Sequence, residues 1–129
     1  MIGIFDSGVG GFCALHEVKR LLPRKNILYI ADRKHAPYGT KSEEEIVAYT
    51  KANIKRLERL GAEMILIACC SASSIYSRLD EKEKRIAVPI INPAAEKAAS
   101  LAQSILVIAT ERTVKSKEFS KKIKEINRK

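Results

Sequence analysis

Ile2-Gly3-Ile4-Phe5-Asp6-Ser7-Gly8-Val9-Gly10-Gly11 is an apolar run that stops at an acid and a hydroxyl and then enters a glycine-rich turn. The same order of apolar run, polar break and helix-forming stretch recurs around Pro37-Tyr38-Gly39-Thr40 and Ala68-Cys69-Cys70-Ser71-Ala72-Ser73. The apolar segments at residues 2–5, 27–31, 64–68, 86–91 and 105–109 are continuous rather than alternating, which suits strands buried on both faces of a parallel sheet. With helical stretches between them, they predict an α/β fold: an open parallel sheet in a three-layer sandwich. Loops at the carboxyl ends of such strands converge on a ligand crevice. An acid, several hydroxyls, backbone amides and a thiol can therefore meet around one small molecule.

The helix signals are local and specific. Ser42 followed by Glu45 is a capping box, in which hydroxyl and carboxylate satisfy the first amides of a helix. Ile46, Ile54, Leu57 and Leu60 supply its apolar stripe, and Gly61 can end it in a left-handed conformation. A helix over residues 11–22 is expected to stop at Pro23 and to turn Leu15, Val18, Leu22 and Cys13 inward. A third is expected to run from Ala72 into the charged run at residues 80–85, and a short one over residues 94–102. Residues 114–126 repeat Phe119, Ile123 and Ile126 in a narrow stripe that needs something to pack on. Asn92-Pro93 marks the expected boundary between an α/β unit of residues 1–92 and the start of a second unit, residues 93–129.

The 129 residues carry a net charge of +9, of which the seven Lys/Arg and two Glu of residues 115–129 supply +5. Only Phe119 interleaves with those cations, so a solvated helix face is favoured over a nucleic-acid surface. No apolar run approaches the roughly 20 residues of a membrane span. The first residues lack a basic signal region. A cytoplasmic location, no membrane partner and no nucleic-acid partner are expected. Three cysteines without C-x-x-C spacing favour neither a disulfide framework nor a metal site.

Each motif has a plainer reading beside the functional one. Gly8-Val9-Gly10-Gly11 suggests a dinucleotide turn, with Asp32 as a ribose acid, but Cys13 stands where the third glycine belongs. The glycines are equally explained by a turn that needs positive backbone dihedrals. Asp6 can cap that turn or touch a ligand. Cys69 ends a buried run, where a cysteine is usually an inert small hydrophobe, but its place at a strand exit before a helix start favours the thiolate and is expected to lower the thiol pKa. Ser71 and Ser73 offer a cap and a ligand contact. His16 sits among charged neighbours on a solvated face, and His35 receives no role.

Taken together, residues 4–11, 37–40 and 68–73 with Ala109-Thr110-Glu111-Arg112-Thr113 resemble the ordered motifs of the glutamate racemases, in the aspartate/glutamate racemase family. The resemblance implies two facing α/β domains and cofactor-independent interconversion of L- and D-glutamate for peptidoglycan synthesis. It implies Cys69 as one catalytic cysteine, and Asp6, Ser7, Tyr38, Gly39, Thr40, Cys70, Ser71 and Thr113 as substrate contacts. Cys70 and Ser71 stand where the family usually has asparagine and threonine, and Arg112 where it has glycine. The second cysteine motif belongs beyond residue 129. A truncated enzyme, weak or inactive alone, is therefore expected, with a non-catalytic carboxylate or amino-acid binding module as the alternative. Self-association, or a complementing second-domain chain, would be the partner, and residues 105–108 would be a strand lacking its sheet.

Overall fold

The structure, a computed structural model, describes residues 1–102 and 104–127. Four parallel strands form one sheet: β1 (Ile2–Asp6), β2 (Ile27–Ala31), β3 (Met64–Ile67) and β4 (Ala87–Pro89), in the order β2-β1-β3-β4. Ile4 pairs with Tyr29 on one side and Leu66 on the other, and Leu66 with Val88. This register puts Phe5, Ile65, Ile67 and Ala87 on one face and Ile4, Tyr29, Leu66 and Val88 on the other.

The first face carries the core. Helix α2 (Glu43–Arg59) lays Ile46, Ile54 and Leu57 on it, all fully buried with Phe5, Ile65 and Ile67. Its start is the expected capping box: Glu45 N donates to Ser42 Oγ at 3.2 Å and Ser42 N to Glu45 Oε2 at 2.9 Å. Gly61 ends it with φ of +92°. Leu60, expected inward, is the C-cap just past the last helical residue and is 52% exposed.

Helix α1 (Phe12–Leu21) lies on the opposite face, where Phe12 stacks on Tyr29 at 4.7 Å. Its coverage is thin: Leu15 and Val18 are only half-buried, and Leu22 and Cys13, both expected inward, are exposed. Met64 and Val88 on the same sheet face are 55% and 40% exposed. The layers expected from the apolar runs are present, one much better filled than the other.

The third helix is three pieces instead of one: α3 (Cys70–Ser73), a 3-10 turn (Tyr76–Arg78) and α4 (Glu81–Lys84). Serine hydroxyls bond backbone carbonyls at both ends of the first piece. Ser73 Oγ donates to Ile67 O and Ser74 Oγ to Ser71 O. Asp80 and Glu83 form a second capping box, so the charged run begins a helix rather than ending one. Helix α5 (Ile91–Leu101) holds Asn92 and Pro93 in its first turn, where proline is tolerated.

Residues 105–109, expected as a strand, form none. Among the described residues their backbone pairs with no strand, and Leu106 and Ile108 are 86% and 89% exposed. The final segment is split by Lys117, which adopts φ of 58°, into α6 (Glu111–Ser116) and α7 (Glu118–Asn127). The stripe of α7 finds its partner in α5, against which α7 packs.

Candidate active site

The carboxyl ends of β1 and β3 lie side by side at the centre of the sheet, so the residues leaving them are neighbours. Asp6 is buried, and its Oδ2 accepts the amide of Gly8 at 2.9 Å. It therefore does cap the turn, as the plainer reading has it. Ser7 Oγ and Cys69 Sγ share a hydrogen bond at 3.5 Å across residues 62 apart in sequence. The Asp6-Ser7 and Cys69 motifs thus meet.

Cys69 is itself the N-cap of α3: its sulfur accepts the Ala72 amide at 3.4 Å. Ser73 is not the cap; its hydroxyl accepts the Ile90 amide and ties β3 to the end of β4. The expected lowering of the thiol pKa does not occur. Burial pushes the Cys69 thiol up, and the Asp6 carboxylate adds to the rise, against weaker opposing hydrogen bonds from Ser7 and Ala72. A four-residue helix sums few peptide dipoles, so its start cannot offset that desolvation. Cys70, half-buried, is also raised by burial. Thiol alkylation should consequently label exposed Cys13 first and Cys69 last at neutral pH, with the Cys69 rate climbing only at higher pH than that of an ordinary thiol. Mass spectrometry of timed samples reads this order, and a Cys69 that outpaces Cys13 would refute it.

The Tyr38 loop enters from the side. Tyr38, 1% exposed, donates its hydroxyl to Asp32 Oδ2 at 2.6 Å. Asn53 Nδ2 reaches the same oxygen at 3.1 Å, and His35 Nδ1 bonds Asp32 at 2.9 Å while its ring stacks on Tyr49. Burial raises the Asp32 pKa, but the hydrogen bonds from Tyr38, His35 and Asn53 outweigh it and hold the carboxyl low. Burial and Asp32 push the Tyr38 phenol up. The Tyr38 hydroxyl is thus taken up inside the protein, and the exposed Thr40 donates its own to Pro37 O at 3.2 Å. His35, given no role from the sequence, is part of this network, and so is Asp32.

The loop then touches α6. A Cβ on Gly39 would lie 2.9 Å from both Thr110 Cβ and Cγ2, so only glycine allows this approach. Ser71 Oγ bonds Thr110 Oγ1 at 3.0 Å, and Thr110 Oγ1 bonds Thr113 Oγ1 at 3.0 Å. Ser71 and Thr113 are both buried. Thr110 is the hub that sequence reasoning passed over; its signal is a threonine at the N-cap of α6, three residues before Thr113. Asp6, Ser7, Cys69 and Cys70 form one cluster, and Gly39, Ser71, Thr110 and Thr113 a second one joined to it through α3. No group of three or more His, Cys, Asp or Glu suited to a metal occurs among the described residues.

Solved structures share this fold. Glutamate racemase from Aquifex pyrophilus matches with a TM-score of 0.90 at 33% identity, covering 96% of this chain and 50% of that one. The Francisella tularensis enzyme, solved in complex with D-glutamate, matches with a TM-score of 0.88 at 32% identity, covering 98% and 49%. In sequence, glutamate racemase of Desulforudis audaxviator is 39% identical over 132 residues, 98% of this chain and 48% of its own length. The chain spans about half the length of the curated relatives it matches. The Asp/Glu/Hydantoin racemase model matches residues 15–128, so the two motif clusters at the strand exits are those of a chain that belongs to the aspartate/glutamate/hydantoin racemase family.

Proposed function

We propose that this chain forms one wall of a glutamate racemase site, holding the amino acid and presenting Cys69 to its α-carbon. The observation that carries this is the Ser7–Cys69 contact beside buried Asp6, which puts an acid, a hydroxyl and a thiol at adjacent strand ends. Asp6 and Ser7 take the polar groups of the ligand, together with the Ser71, Cys70 and Thr113 side of the crevice and the Tyr38-Gly39-Thr40 loop. The reaction needs no cofactor in this reading, and its product serves cell-wall peptidoglycan in the cytoplasm.

The chemistry follows from the resting state of the thiol. An α-proton is a very weak acid, so the base must act in a desolvated site with fixed dipoles around the developing carbanion. Cys69 is desolvated but neutral at rest, and the Asp6 carboxylate contributes to that. A bound amino acid brings an ammonium group that offsets Asp6 and favours loss of the thiol proton to solvent, leaving the thiolate. The sulfur then takes the α-proton from its own side, and the opposite face must receive a proton from elsewhere. Cys13 is exposed on α1, and Cys70 follows Cys69 on the same strand exit. Neither faces Cys69 across a ligand. Inversion therefore requires an opposing wall, the part a second α/β unit would supply.

Calorimetry with glutamate and aspartate tests the binding step, and incubation with D-glutamate in deuterated water tests the chemistry. Binding of glutamate that Asp6→Ala and Ser7→Ala weaken, without accumulation of L-glutamate by the 129-residue chain, is the expected pair of results. Silence toward both amino acids would remove the reading. Full racemisation by a monomer would remove the requirement for an opposing wall. Activity that rises with protein concentration would show that another copy supplies it.

A further inference from the structure

Helix α6 packs against the Tyr38–Thr40 turn and α3, both of which border the site. Thr110 bonds Ser71, Gly39 presses on Thr110, and between the two threonines Arg112 reaches in another direction. Arg112 Nη2 donates to Lys41 O at 3.3 Å, and Nη1 lies 3.7 Å from Glu43 Oε2. Glu43 is the first residue of α2 and also pairs with Arg78, from the 3-10 turn that follows α3. One carboxylate thus joins the start of α2, the turn after α3 and α6.

A solvated ion pair is the plainer reading of Arg112, and such pairs contribute little. Three features argue against it. The guanidinium also bonds a backbone carbonyl, which screening by salt does not remove. Its Nε is buried with no hydrogen-bond partner, an unfavourable state that persists only where the surroundings hold the side chain in place. Finally, α6 has six residues, too few to hold its own direction without tertiary contacts. A rotation by one residue, roughly 100° on a helix of 3.6 residues per turn, would carry Thr113 away from Thr110.

We propose that Arg112 is a positioning residue that locks α6 to the Tyr38–Lys41 segment and Glu43, keeping Thr110 and Thr113 in line with Ser71. Arginine suits this because its rigid planar fork holds its acceptors in fixed directions, where lysine offers a point charge on a flexible stem. The role of that hydroxyl row in holding an amino acid rests on the racemase reading; the lock itself does not.

Amide hydrogen exchange on the full chain without ligand tests the lock, using Arg112→Met, Arg112→Lys and Glu43→Gln. Exchange over residues 111–116 and at Lys41 should rise about tenfold in Arg112→Met, the signature of local opening, with β1 and β3 amides unchanged. Glu43→Gln should raise the same amides less, and Arg112→Lys should recover part of the protection. Glu43→Gln also provides the reading if Arg112→Met fails to fold. Unchanged exchange in Arg112→Met and Glu43→Gln overturns the proposal, as does a uniform rise across the sheet, which would mark general destabilisation. Calorimetry with glutamate then separates the two readings. Localised opening in a chain that ignores glutamate keeps the lock and sinks the racemase site. Glutamate binding with unchanged exchange does the reverse.

Discussion

Asp32→Ala is expected to lower the unfolding free energy by about 3 kcal/mol at neutral pH, since it removes hydrogen bonds to a charged acceptor and strands a buried donor. Tyr38 is 1% exposed, and Asp32 is the acceptor of its hydroxyl at 2.6 Å. Asn53 suffers less, because its amide also donates to Tyr49 O at 3.0 Å and to the Tyr38 hydroxyl at 3.2 Å. His35 loses the partner that holds its ring over Tyr49. Asp32→Asn keeps the shape but offers one acceptor in place of two, so about half the loss is expected there. The effect carries a pH signature. The folded carboxyl is held below its ordinary value, so its stabilisation is fully present above the unfolded pKa of about 3.9 and is lost as pH falls through the folded value. Chemical denaturation at a series of pH values should show the acid limb of wild type flattened in both variants. A variant as stable as wild type, or one with the same acid limb, would show that the network contributes nothing.

The four paired strands were legible because both faces of a parallel sheet are buried, and the runs at residues 2–5, 27–31, 64–68 and 86–91 are apolar throughout. The run at 105–109 reads the same way and failed. A strand also needs a neighbour to receive its amides, and that is a property of the surroundings rather than of the run. Helix α2 was legible to the residue at its start, where Ser42 and Glu45 satisfy each other locally. The meeting of Asp6 and Ser7 with Cys69 was legible from their strand-exit positions, which topology places together. The Ser71–Thr110 and Asp32–Asn53 contacts were missed because their partners lie 39 and 21 residues apart, and no local pattern announces such a meeting. The direction of the Cys69 shift was missed for another reason: a rule for helix starts was applied where desolvation is the larger effect.

Gly11→Ala is expected to cost about 1–3 kcal/mol, the usual range for overpacking a filled interior, and to disable the site at the same time. A Cβ there would lie 2.7 Å from the Tyr29 hydroxyl, 2.8 Å from Asp6 Cβ and 3.1 Å from Ala68 Cβ. The tyrosine tip can swing aside. The other two atoms belong to the exits of β1 and β3 and cannot yield without moving Asp6 or the strand end that carries Cys69. This revises the sequence-based account of the glycine run, in which all three glycines served positive dihedrals: Gly61 is the glycine with positive φ among the described residues. Gly8 and Gly10 have no such crowding, since an added Cβ would find only Asp6 Oδ2, at 3.8 Å. Gly8→Ala and Gly10→Ala should therefore stay within about 0.5 kcal/mol of wild type. Thermal unfolding of the three variants, with glutamate calorimetry alongside, checks both halves. Equal losses at positions 8, 10 and 11 would mean that the turn as a whole demands glycine. A loss confined to Gly11, accompanied by weaker glutamate binding, would show that its missing side chain is what lets the two strand exits close to the Ser7–Cys69 distance.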